Sequence, residues 1–216
     1  FVGAIVMTHG DDKGLVLPPK LAPIQVVIVP IYKGDGERAP VLGAAAAIKQ
    51  ELVAQNVRVK LDDRDNVTPG YKFNEWELKG VPVRIEIGPR DLQNDTVMVG
   101  RRDIPGKGGK QLMARAGLAQ QVKEVLAAIH QNLLARATRA RDERTIEVTS
   151  YGQLKDAIES GFARGWWAGD SADEAHIQAE TKATLRCIPL EQPGGAGTCF
   201  FTGKAATQVA IFGRSY

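Results

Sequence analysis

In TPGYKFNEWELKGVPVRIEIGPRD (residues 68–91) a helix hands over to a strand across a tight turn, and the letters on either side give both elements away. Thr68 can cap a helix and Pro69 suits its first position. Gly80 ends that helix, and Pro82 cannot continue it. Val81, Val83, Ile85 and Ile87 then alternate with Pro82, Arg84 and Glu86, the period of a strand. Phe73 and Glu77, four apart, share a helix face, and Arg84 stands on the polar side of the strand. A ring, a carboxylate and a guanidinium converging on one place can stack on a nucleobase and hydrogen-bond its edge. A buried Phe beside a surface Glu–Arg pair would use the same letters, and the segment in isolation leaves both readings open.

Outward from this stretch the chain alternates. IQVVIVPI (24–31) is a continuous apolar strand of the kind covered on both faces. After the polar break YKGDGERAP, VLGAAAAIKQELVAQN has helical spacing, VRVKLDD is an alternating strand, and TVMVGRRD is another. The pattern predicts an α/β domain, a mixed sheet flanked by helices, over residues 23–142. Ligands of such sheets sit in loops beyond strand ends. Two loops qualify: Gly88-Pro89-Arg90-Asp91, and Arg101-Arg102 followed by Pro105-Gly106-Lys107-Gly108-Gly109-Lys110. The second has glycines for close backbone approach and lysines for phosphate or base edges, but not the spacing of a P-loop. Residues 111–142 read as one helix, with an apolar stripe from Leu112 through Leu118, Val122, Val125, Leu126 and Ile129 to Leu133.

Residues 143–216 form a second, smaller α+β unit. It reads as an edge strand, a helix capped by Ser150, an aromatic pair Trp166-Trp167, an acidic helix, and strands at TLRCIPLEQ, CFFT and TQVAIFGRSY. Residues 1–22 begin with an apolar run, FVGAIVM, read as a strand, followed by the turn THGDDKG. His9, Asp11 and Asp12 are better suited to satisfying backbone groups in that turn than to holding a metal.

Composition excludes several classes. The 216 residues are 44% hydrophobic and 25% charged, ordinary for a globular protein, and no apolar run approaches a bilayer span. Two cysteines make no disulfide framework and suit a reducing cytoplasm. Residues 101–144 hold ten Lys or Arg against four Asp or Glu, a balance of +6, whereas 168–191 hold two against five, a balance of −3. A basic middle can serve phosphate contacts, and a solvated helix face has the same composition.

The segment 68–91 resembles the anticodon-recognition segment of class II prolyl-tRNA synthetases of the archaeal and eukaryote-like branch. The resemblance continues through Gly3-Ala4, Met7-Thr8-His9-Gly10-Asp11-Asp12 and Gly14-Leu15-Val16-Leu17-Pro18-Pro19, which match the third class II signature, and through the ending FGRSY. It implies the end of a catalytic domain over 1–22, with Gly3 in the ATP-site signature, an anticodon-binding domain over 23–142, and a carboxy-terminal domain of zinc-binding type over 143–216. It places Phe73, Glu77, Arg84 and Arg90 at bases of an anticodon whose proline signature is two adjacent guanines, with Lys107 as a further contact. It points the terminal carboxylate of Tyr216 towards the catalytic site. The family's four zinc cysteines would fall on Ala168, Asp173, Cys199 and Thr202, where one thiolate remains, so zinc is not expected.

The parent enzyme would join proline to its tRNA using ATP and Mg²⁺, as a cytoplasmic homodimer with no membrane association. This stretch begins after the signature's arginine and is expected to be inactive alone. A free-standing RNA-binding module without catalysis is the competing reading. A small-molecule-binding doubly wound domain lacks a nucleotide fingerprint.

Overall fold

The structure is a computed structural model and describes residues 2–214. Two compact units divide between residues 137 and 138.

The first unit opens with helix α1 (Val2–His9), then β1 (Val26–Pro30), α2 (Asp35–Ala54), β2 (Val59–Leu61), α3 (Pro69–Leu78), β3 (Val83–Ile87), the short α4 (Pro89–Gln93), β4 (Thr96–Arg101), β5 (Lys110–Ala114) and α5 (Leu118–Glu143). The sheet order is β2-β1-β3-β4-β5. β1 pairs in parallel with β2 and β3, and β3-β4-β5 is antiparallel, so the sheet is mixed as expected. One face carries Ile28, Ile85, Ile87, Val97 and Val99 against α2 and α5, the main core. The other carries Val27 and Val29 against Trp76 and Val81, with Phe73 packed at the margin. All five residues of β1 are buried, which explains its unbroken apolar run.

Four readings of this unit need correction. The FVGAIVM stretch is helical from Val2, because a short apolar run does not reveal its period and nothing among the described residues pairs with it as a strand. Residues 110–114 are β5, not the start of the long helix: Lys110–Ala114 pair with β4, Leu112 is exposed, and Gly117 at φ +71° separates strand from helix. The loop at Gly88–Asp91 opens α4, with Pro89 in its first turn and Asp91 Oδ2 accepting the Gly88 N–H at 2.8 Å. The helix expected after residue 40 starts at Asp35, with Pro40 inside its early turns.

The second unit holds β6 (Thr145–Glu147), α6 (Tyr151–Ala157), β7 (Phe162–Trp167), α7 (Ser171–Thr181), β8 (Ala183–Cys187), β9 (Gly197–Thr198), β10 (Ala205–Ala206) and β11 (Gln208–Arg214). Its main sheet runs β6-β7-β11-β8. Ser150 caps α6 by accepting the Gln153 N–H at 3.3 Å. The core is aromatic: Trp167 lies 5.0 Å from Phe212 and 5.6 Å from Phe200 between ring centroids. CFFT, expected as a strand, is a turn, closed by the Gly203 N–H on the Cys199 carbonyl and the Thr202 N–H on Cys199 Sγ.

Candidate nucleic-acid interface

The site is built on α3. Thr68 accepts the Tyr71 N–H at 3.3 Å and Pro69 occupies the first turn. At the other end Gly80 takes φ +72°, and a Cβ there would lie 2.6 Å from Leu15 Cβ. That close approach lets Leu17 N–H reach the Gly80 carbonyl and Leu15 N–H the Leu78 carbonyl. The helix body is tied down by Asp62, 2% exposed. Its Oδ2 accepts the Trp76 Nε1–H at 2.7 Å, both its oxygens accept Arg64, and its carbonyl accepts buried Lys72 Nζ at 3.0 Å. Burial pushes the Asp62 carboxyl up, but hydrogen bonds from Arg64 and Trp76, with the charges of Lys72 and Arg64, outweigh it and hold the group at about 2.

Trp76 and Asp62 so fixed, α3 sets Phe73 over β3. The Arg84 guanidinium lies 4.1 Å from the Phe73 ring centroid, a cation–π stack. Gly100, the β4 residue opposite Arg84, lies beside it: a Cβ there would be 3.7 Å from Arg84 Nη2. Glu86 Oε1 accepts Arg84 Nε at 3.0 Å and Nη2 at 2.9 Å, and Lys110 Nζ at 2.9 Å. The polar face expected of β3 is thus largely covered, with Glu86 buried.

A cleft of about 230 Å³ opens beside this stack, lined by Glu77, Arg84, Lys107 and Lys110 over an apolar floor that includes Val27, Trp76 and Val81. That is smaller than the roughly 300–1,000 Å³ of sites enclosing a drug-sized ligand, and suits a single ring. Glu77 meets Lys13 Nζ at 3.4 Å. Lys107, in a 3₁₀ turn over Gly106–Gly109, is exposed, and its side chain has no polar partner among the described residues. Arg90 is exposed on α4, past the carboxyl end of β3, and does not line the cleft. Arg101 and Arg102 line its wall but are committed to other partners. Arg101 forms a bidentate pair with Asp103 (3.0 and 2.7 Å), and buried Arg102 one with Asp11 (2.7 and 2.6 Å). The hydrogen bonds from Arg102 hold the Asp11 carboxyl at about 2. Asp62, Trp76 and Glu86 escaped the sequence reading, which named Lys110 only as a loop lysine and not as the partner of Glu86. Glu86 alone left a signal there, two residues from Arg84 on the same strand face.

The other expected positions are scattered. Gly3 is exposed on α1 with open space around it, and by itself builds no nucleotide site, so no step through ATP is derived from this chain. Tyr216 lies outside the described residues. Among the described residues no group of three or more His, Cys, Asp or Glu could hold a metal ion. Cys199 is buried and its sulfur takes the Thr202 N–H at 3.4 Å, while Ala168 packs against the same core and the Phe200 N–H reaches the Trp166 carbonyl at 3.2 Å, so the two halves of the would-be zinc site do meet. Asp173 instead accepts the Asp170 N–H at 3.1 Å, in the cap of α7.

The profile described as "Anticodon binding domain" matches residues 25–125, which contain this cleft, and "Prolyl-tRNA synthetase, C-terminal" matches 151–216. The chain belongs to the prolyl-tRNA synthetase family. It is 57% identical over 217 residues to a proline–tRNA ligase of Chloroflexus aurantiacus, covering 100% of this chain and 45% of that protein. It is 56% identical over 220 residues to the chloroplastic/mitochondrial proline–tRNA ligase of Arabidopsis thaliana (100% and 40%), and 47% identical over 216 residues to that of Porphyromonas gingivalis (100% and 43%). The chain thus spans less than half the length of these relatives. No helix among the described residues is long and apolar enough to cross a membrane.

Proposed function

We propose that the first unit binds the anticodon of a proline tRNA, with Phe73, Glu77, Arg84 and Lys107 at the bases and Arg90 on neighbouring backbone or base. The observation that carries this is the single-ring cleft where Arg84, backed by Phe73, stands with a carboxylate and a lysine. Arginine donors suit O6 and N7 of guanine, and a carboxylate suits its imino and amino groups. The whole protein is read as a proline–tRNA ligase that activates proline with ATP and Mg²⁺ and passes it to its tRNA. In that reading residues 1–22 close the catalytic domain, and Tyr216 carries a terminal carboxylate used there. Support comes from α1, which buries no residue and leaves Val2 73% exposed, as for a helix covered by another part of the protein. The homodimer and a reducing, cytoplasm-like compartment belong to the same reading, as does a second unit that stands without zinc.

The test is binding of a proline tRNA transcript against the same transcript with both anticodon guanines replaced. Each lost base-edge pair is worth about 1–3 kcal/mol, so selectivity should exceed about tenfold. Arg84→Ala should remove much of it. Equal affinity of the wild-type protein for both transcripts would overturn the proposal.

A further inference from the structure

We propose that Glu86 sets the base selectivity of the cleft, as a positioning residue that decides which edge of Arg84 is offered to RNA. The inference rests on the anticodon reading above. A guanidinium has two bidentate edges, the Nε/Nη2 side and the Nη1/Nη2 end. Glu86 Oε1 occupies the side edge, at 3.0 Å from Nε and 2.9 Å from Nη2. Nη1 has no polar partner among the described residues, so the end edge is the one left for a ligand.

Glu86 is itself fixed. Its side chain is 11% exposed, and Lys110 Nζ holds it at 2.9 Å from Oε1 and 3.3 Å from Oε2. The sheet register explains why one carboxylate serves both cations. Arg84, Gly100 and Lys110 stand opposite one another on β3, β4 and β5. Two cations flank a residue without a side chain, and Glu86, two positions along β3, bridges them. With Phe73 stacked on the guanidinium, the group has one orientation to present. Two fixed donors on a planar edge match O6 and N7 of guanine and oppose the amino group of adenine.

Two effects of removing this carboxylate have opposite signs. An RNA cleft that loses a negative charge attracts phosphate more strongly. An arginine that loses its tether stops discriminating. Selectivity should therefore fall while affinity for the wrong RNA holds or rises, which damaged packing would not produce.

The experiment measures binding of labelled proline tRNA, and of transcripts with each anticodon guanine changed in turn to adenine, by fluorescence anisotropy with the complete protein. Arg84→Ala, Glu86→Ala and Glu86→Gln are compared at matched salt, with melting temperatures to confirm folding. At one of the two guanines the wild-type ratio is expected near or above about tenfold. It should fall towards one in both alanine variants, and most of it should survive in Glu86→Gln, which keeps an oxygen of the same reach. Affinity of Glu86→Ala for the adenine transcript should be unchanged or tighter. If Glu86→Ala does not fold, Glu86→Asp, one methylene too short, should show the same loss of ratio. Collapse of the ratio in Arg84→Ala with none in the Glu86 variants overturns this inference and leaves the anticodon reading standing. An equal weakening for both RNAs in Glu86→Ala overturns it as well. No loss of ratio in Arg84→Ala overturns the anticodon role of Arg84 itself.

Discussion

Replacing Asp62 by Asn removes a charge from the buried knot that holds α3, and the cost can be worked from the structure. Asp62 Oδ2 accepts the Trp76 indole N–H and Arg64 Nη2, each at 2.7 Å, and Lys72 Nζ lies 3.9 Å from Oδ1. The carboxyl is held at about 2 against an ordinary 3.8. At about 1.4 kcal/mol per unit, the charged form is favoured in the fold by about 2.5 kcal/mol, after burial has taken its share. Asn also brings an N–H where every neighbour is a donor, which leaves one buried group unsatisfied at about 1–3 kcal/mol. The expected loss is therefore about 3.5–5.5 kcal/mol at neutral pH, or roughly 10–20 °C in Tm for a unit of this size. The folded pKa is depressed, so this stability is present above pH 3.8 and lost as pH falls through about 2. The gap between wild type and variant should be constant from pH 8 to 5 and narrow below pH 4. Urea unfolding followed by Trp76, the first unit's tryptophan, measures it. A gap under about 1 kcal/mol at pH 7, or one that does not narrow in acid, would refute the reasoning.

Three further outcomes are expected. Lys107→Ala should weaken binding to cognate tRNA by about 1–3 kcal/mol and to the altered transcript by less, as a base contact does; an equal loss on both, with the salt slope reduced by about one, would assign the lysine to phosphate. Gly80→Ala should cost at least about 2 kcal/mol in urea unfolding, since a side chain at φ +72° is strained and its Cβ would meet Leu15 at 2.6 Å. Metal analysis should find far less than one zinc per chain, and a chelator should leave the melting temperature unchanged; a stoichiometric zinc would show that Cys199 recruits ligands from elsewhere.

What could be read from the sequence was local. Thr68, Pro69 and Gly80 mark the ends of α3 by chemistry confined to one turn, and the structure uses all three. β1 betrayed its burial on both faces through its unbroken apolar run. The misread pieces had ambiguous local signals. QLMARAG is rich in helix formers, yet β4 offers it an edge to pair with, and only Gly117 marked the break. CFFT has strand formers, but the Cys199 sulfur takes the Thr202 N–H and turns the chain.

The site divides along the same line. Phe73, Glu77 and Arg84 could be gathered in advance because helix and strand periods put them on known faces. Lys110 could be named only as a loop lysine, since it meets Glu86 through the register Arg84–Gly100–Lys110 across three strands, fixed by pairing rather than by spacing. Asp62 is hidden for a similar reason: its partners Arg64, Lys72 and Trp76 lie 2, 10 and 14 residues away, and only folding brings them to one carboxylate. Residues that would touch a ligand were legible because the sequence periods set their exposure. Those that aim them were not, because their energy comes from burial, and the same Asp or Glu in solvent would be worth little.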